Sequence, residues 1–258
     1  MPDQRKAAKS RITKHDKTQE AQIQNLALRV ERIFSLYLDD VVDALRAGEK
    51  DALNMAQALL GIEEGLKKGG LTKEIGRLET IFGDELEFAR EEFERLSGAK
   101  FALTVTDFNN VQALVNDQMD RASRTVSQYM GDIRSIVLNA TITGEVPDLK
   151  PIRQKFGDSI TSNIETDIRT SLQGFSRAIT LQQADESGLK LFLYIGPDDD
   201  VTRPFCQDKI DQIFTKEEID GWDNGQGLPA NIYLGGYNCR HQLRPITEEL
   251  ARELGWQP

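Results

Sequence analysis

The sequence predicts a mainly α protein: a long amphipathic helical body carrying a small mixed α/β module at its C-terminal end. Three observations lead there. Through most of the chain before Gly188, apolar residues recur at three- and four-residue steps, the spacing that lines one helix face. After Gly188 that rhythm gives way to glycine, proline and short β-branched or aromatic runs. The chain's two cysteines fall in this last part, with one of its two histidines.

Composition narrows the function classes. A chain of 258 residues, 39% hydrophobic and 29% charged, can bury one large core or two modest ones. No apolar run approaches the ~20 residues that span a bilayer, so a membrane is not expected as a partner. Met1-Pro-Asp-Gln-Arg-Lys has no apolar signal core behind its charges, which argues against export by the usual route. Two cysteines are too few for a disulfide framework and read as reduced thiols or ligands in a cytosolic setting. A net charge of −10 argues against a broad nucleic-acid-binding surface. Residues 1–17 are the local exception, with Arg5, Lys6, Lys9, Arg11, Lys14 and Lys17 against Asp3 and Asp16. They read as a basic, flexible arm, suited to DNA or an acidic partner, or simply solvated.

The body runs from residue 18 to 187. Its first helix carries Ile23, Leu26, Val30, Ile33, Tyr37, Val41 and Leu45 and closes at Gly48. A second segment from Asp51 runs through Met55, Leu59 and Ile62 to Gly65 and the Gly69-Gly70 pair. Thr72 opens a third, with Ile75, Leu78, Phe82, Leu86 and Phe93 on one side; the dense acids of residues 71–101 suit a solvated outer face. Phe101–Thr106 reads as an extended connector. A helix follows from Val111 to Val137, ended by Gly144 and Pro147, where the body has a candidate hinge. The most regular stripe comes next: Leu149, Ile152, Phe156, Ile160, Ile164, Ile168, Leu172, Phe175 and Ile179, one helix of some thirty residues. These stripes are read as faces packed on sibling helices, with self-association through the longest as the alternative.

Residues 188–258 form the module. Leu189–Ile195 reads as a strand and Gly196–Asp200 as a turn. Phe205–Phe214 is expected to be a short helix, and Thr215-Lys-Glu-Glu218 is a capping box opening another. Ile232–Leu234 is expected to be a short strand, and Thr247–Leu254 a last helix after Pro245.

Three chemistries fit the clusters Asp198–Cys206 and Gly235–His241. Cys206, Cys239 and His241, with a carboxylate from Asp199, Asp200 or Asp208, make a tetrahedral zinc set. In an extended segment Cys239 and His241 point to one face while Arg240 points away. Asp208 is taken as the fourth ligand, and the cofactor is then either none or one structural zinc. A thiolate of Cys206 or Cys239 with His241 as base is the second chemistry, an enzyme or toxin-like module, with no hydrolase signature around either cysteine. The third is structural: Asp199, Asp200, Thr202, Arg203, Asn238 and Arg240 cross-link loops through arginine–carboxylate pairs. That reading is preferred for most of these polar residues, and no catalytic residue is assigned.

The order of these residues resembles a known family. A helix containing Glu165-Thr-Asp-Ile-Arg-Thr leads to a strand, then to Asp199–Cys206, then to Pro229 and Gly-Gly-Tyr-Asn-Cys-Arg-His241, followed by Pro245. This is similar to the phage head morphogenesis, or minor head protein, family typified by protein F of phage Mu, over residues 160–245. The family pattern often has another Cys or His soon after the first cysteine, where this chain has Gln207-Asp-Lys. Membership implies a non-enzymatic virion protein of a tailed-phage head, assembled in the host cytoplasm. It would bind portal or major capsid protein and could accompany DNA during ejection. The positions that carry the pattern are Asp199 or Asp200, Thr202, Arg203, Cys206, Asn238, Cys239, Arg240 and His241.

Overall fold

The computed structural model describes residues 2–46, 68–104, 150–159 and 163–257, with scattered helical positions between 109 and 143. The protein is mainly helical, with a small three-stranded antiparallel sheet near the C-terminus. Among the described residues no helix is long and apolar enough to cross a membrane. Elements in order are α1 (Pro2–Arg46), α2 (Leu71–Ser97), α3 (Lys150–Ser159), α4 (Glu165–Glu186), β1 (Leu191–Ile195), α5 (Pro204–Gln207), β2 (Ile213–Thr215), α6 (Lys216–Asp220), α7 (Ala230–Tyr233), β3 (Gln242–Ile246) and α8 (Glu248–Glu253).

The chain divides into two compact units. One gathers residues 1–21, 81–115 and 166–258; the other holds 22–80 and 116–165. The sequence had suggested a module beginning at residue 188. The unit that contains it instead recruits the start of α1, the second half of α2 and all of α4 beyond Glu165, because a three-stranded sheet needs helices to cover its faces. In the second unit Phe34 stacks on Phe156, with centroids 3.4 Å apart, and Tyr129 meets both rings edge-on.

The basic arm is corrected first. Residues 2–17 are the opening turns of α1, and Ala8 and Ile12 are buried. Their spacing of four puts both on one face, which joins Leu96, Leu191, Leu193, Ile195, Ile246 and Ala251 in a single core. Two of the basic side chains are committed internally, Lys9 to Asp211 at 2.6 Å and Arg11 to Glu92 at 2.6 Å. Further along α1 the buried stripe is Ile23, Leu26, Ala27, Val30, Phe34 and Leu38. Ile33 and Tyr37, expected inside, are half-buried because the stripe passes one residue over.

α2 also differs from expectation. Its acids are not all on a solvated face: Glu85 and Glu92 are 0% and 2% exposed. Glu92 accepts from Arg11 and Arg95, and Glu85 accepts from Gln19 and contacts His15 Nε2 at 2.8 Å. His15 stacks on Phe88 with centroids 3.7 Å apart.

The expected thirty-residue helix is seen as two described pieces, α3 and α4, with a wide π turn at Asn163-Ile164 leading into α4. Leu149 and Ile160 lie outside the described residues. So do the segment from Asp51 to Gly65, most of the 111–137 stripe and the Gly144–Pro147 hinge, although Ile133 is described and buried. α4 stops at Gly188, whose φ of +69° is open to glycine at little cost. Gly188 N–H bonds the Asp185 carbonyl and Leu189 N–H reaches back to Ala184 at 2.8 Å, a Schellman stop.

Strand order is β2-β1-β3, and both pairings are antiparallel. Alternation along β1 sends Leu191, Leu193 and Ile195 into the core under α1, and Phe192 and Tyr194 to the opposite face. There Tyr194, Phe205 and Phe214 meet Trp222 edge-on, at 5.9, 5.9 and 4.9 Å. Phe205–Phe214 is not one helix: α5 lasts a single turn, and Ile213-Phe214 pair with β1. Ile232–Leu234 is not a strand either; it belongs to the helical turn α7 that follows Pro229. The third strand is β3, where Pro245 stands opposite Phe192; a proline is tolerated there because β3 is an edge. The capping box at Thr215 forms, with both reciprocal bonds present.

Two outcomes follow. Ile12→Ala is expected to cost about 2–4 kcal/mol in urea unfolding, as for a core residue, where a solvated arm would cost nothing. Burial, with the Glu85 carboxylate beside it, raises Asp16 from 3.8 to about 7. The fold therefore prefers the protonated acid, and this contribution is full below about pH 4 and lost as pH rises to about 7. Asp16→Asn should flatten that part of the stability–pH curve.

Candidate metal centre

Three elements deliver the site. Cys206 sits on α5, the one-turn helix that Pro204 opens behind Arg203. Cys239 follows the Gly235-Gly236 turn, and His241 lies just before β3. All three side chains are buried, at 2%, 4% and 3% exposure.

Their ligand atoms lie within 4.8 Å of one another. The two sulfurs are 3.8 Å apart, and Cys239 Sγ is 3.7 Å from His241 Nδ1. These two pair separations match edges of a tetrahedron with metal–sulfur bonds near 2.3 Å and metal–nitrogen bonds near 2.0 Å. His241 Nε2 faces the Pro197 carbonyl at 2.9 Å. A carbonyl only accepts, so Nε2 carries a hydrogen, and Nδ1 is the ring nitrogen that faces Cys239. Gly235 N–H donates to Cys239 Sγ at 3.4 Å. The group can therefore hold a metal ion.

Arg177, on α4, fixes the loop from behind. Its guanidinium donates to the carbonyls of Cys239 at 2.5 Å, His241 at 2.7 and 3.0 Å, and Ile232 at 3.2 Å. The residue is 1% exposed. Cys206 and Cys239 share a hydrogen bond between their sulfurs. That bond, with the Arg177 charge and His241, holds the Cys239 thiol well below its ordinary range against the opposing effect of burial. The same bond to Cys239, together with burial, pushes Cys206 up.

The remaining candidates separate. Asp199 accepts from Arg240 at 2.6 Å and from Thr202, while Thr202 Oγ1 takes the Asp199 N–H. The Arg240 bond, with that from Thr202, lowers the Asp199 carboxyl from 3.8 to about 2. Arg203 donates to the Gly235 carbonyl at 3.1 Å rather than to a carboxylate. Asn238, at φ +57°, is held by α4 through Thr170, Thr166 and Arg169. Asp200 is exposed. Asp208, taken from the sequence as fourth ligand, is exposed on the turn after α5 and is not among the clustered groups; the chain leaves α5 with that side chain outward.

Arg177 was not singled out from the sequence. Its signal was present: Thr166, Thr170, Gln173 and Arg177 recur at three- and four-residue steps, a polar row along one face of α4.

Gly235 is required by space: a Cβ there would run into Cys206 Sγ and sit 3.4 Å from Cys239 Sγ. Gly235→Ala is expected to lower unfolding free energy by about 1–3 kcal/mol and to weaken metal uptake, read by thermal unfolding with and without zinc. No family model, curated protein or solved structure matches this chain.

Proposed function

We propose that the protein is a non-enzymatic structural component of a tailed-phage head, a minor head protein whose C-terminal module is pinned by one zinc ion. The reading rests on the resemblance of residues 160–245 to the head morphogenesis family. One observation carries it further: Cys206, Cys239 and His241 are buried together under the Gly235 backbone and tied to α4 by Arg177. Such an enclosed donor set suits holding loops in place better than turning over a substrate.

In that role the exposed helix faces bind portal or major capsid protein during assembly in the host cytoplasm. DNA contact, if made by the start of α1, falls to Lys6, Lys14 and Lys17, since Lys9 and Arg11 are already in ion pairs. Self-association through α1 is the other use of a long helix. A thiol-enzyme reading is favoured by the depressed Cys239, and alkylation separates the two: an enzyme thiolate reacts with iodoacetamide at neutral pH, whereas an enclosed, metal-bound sulfur does not.

The test joins metal analysis to pull-down. The purified chain is expected to carry one equivalent of zinc, which Cys239→Ser and His241→Ala lose together with several degrees of melting temperature. Immobilised portal should retain the wild type and lose the metal-free variants. A zinc-free wild type, or a zinc protein that neither portal nor capsid retains, would sink the corresponding half of the proposal.

A further inference from the structure

The three clustered ligands leave one corner of a tetrahedron to be filled, and no described carboxylate fills it. Asp208 faces solvent, and Asp199 is engaged by Arg240 and Thr202. One buried oxygen is close by. Tyr194 is completely buried, on the face of β1 that looks toward the site. Its ring stacks on His241, with centroids 5.3 Å apart and an angle of 28°. Burial, with the two cysteines nearby, pushes that hydroxyl above its ordinary range, so only a cation placed against it would draw off its proton. Yet that oxygen has no hydrogen-bond partner of acceptable geometry among the described residues. A buried hydroxyl left without a partner costs about 1–3 kcal/mol, so its position beside two sulfurs calls for an explanation.

We propose that the Tyr194 oxygen, as phenolate, is the fourth ligand of the metal ion held by Cys206, Cys239 and His241. The inference rests on the reading of this cluster as a metal site.

Charge supplies the second argument. The buried Arg177 guanidinium has only backbone carbonyls as direct partners, and none of them carries a charge. A divalent ion bound by two thiolates and a neutral imidazole is itself neutral, which leaves Arg177 uncompensated. An isolated buried charge is expensive, so the fourth ligand should be an anion. Phenolate restores the balance from within the fold. The binding step is balanced as follows: the metal enters, the sulfurs and the Tyr194 oxygen become its donors, and the protons held on the two thiols and the phenol leave to solvent. Tyr194 also explains how the chain does without a second Cys or His after Cys206. Lys209, in that stretch, instead lies over the rings of Phe205 and Trp222, at 3.9 and 5.2 Å.

The experiment titrates the full wild-type chain and Tyr194→Phe with Zn2+ at neutral pH, where a free phenol is protonated. The expected result is a phenolate absorption band in the near ultraviolet, growing to saturation at one zinc per wild-type chain. Tyr194→Phe should lack the band and bind zinc at least about 10-fold more weakly. Titration with Co2+ should give a four-coordinate visible spectrum that the variant changes. Zinc bound equally by both chains with no phenolate band would overturn ligation by Tyr194 and leave the three-residue site standing. No zinc uptake by the wild type would overturn both. Should Tyr194→Phe fail to fold, presence or absence of the wild-type band decides alone.

Discussion

The Arg177 guanidinium is the contact on which the C-terminal module depends. One helical side chain takes the carbonyls of Ile232, Cys239 and His241, three groups from two sides of an irregular loop. Loop carbonyls buried away from water need donors, and strand pairing serves few of these. A guanidinium offers five N–H groups in a rigid fork, enough to satisfy several acceptors from one position. The same cation lies next to the most acidic thiol in the chain. Arg177 thus orders the loop and adds to the effect of Cys206 in lowering the Cys239 thiol. Replacing it with lysine would keep the charge and lose the fork.

Around that contact the sheet divides two kinds of interior. The face under α1 and α2 is aliphatic at its centre, with Ile12, Leu191, Leu193 and Ile246, and polar at its border. There Glu85, Gln19, Gln173 and Gln242 form a hydrogen-bonded run that crosses α2, α1, α4 and β3. Arg244, fully buried, lies 5.4 Å from the Phe88 ring centroid and takes its compensation at a distance from Glu92, Glu85 and Asp16. The opposite face is aromatic and carries the Cys/His cluster. Such buried polar runs contribute less to net stability than apolar packing would, but they penalise any shifted register because each group would lose its partner.

Helical content was legible because a 3.6-residue rhythm survives any tertiary arrangement. β1 was legible from β-branched and aromatic residues between glycines. What was not legible depends on contacts made at long range. Nothing local in Arg5–Lys17 announces that Ala8 and Ile12 face a sheet built from the last third of the chain. β3 was missed since Gln-Leu-Arg-Pro-Ile has a proline and a charge where a strand pattern wants neither; an edge position excuses the first and a buried acidic neighbourhood the second. In the site, the two-residue spacing of Cys239 and His241 suggested convergence. The exposure of Asp208 and the closeness of Tyr194 follow from the path of α5 and the facing of β1, which no spacing rule encodes.

The placement of α1 bears on how the molecule comes into being. Ile12 shares a core with Leu96, Leu191 and Ala251, so the contacts that close this core join residues far apart along the chain. Closing so large a loop carries an entropic cost that only late contacts offset. Until they form, the part of that core contributed by Ala8, Ile12 and Leu96 lacks the sheet that covers it. The core of this unit is thus completed only when β1, β3 and α8 reach the helices that precede them.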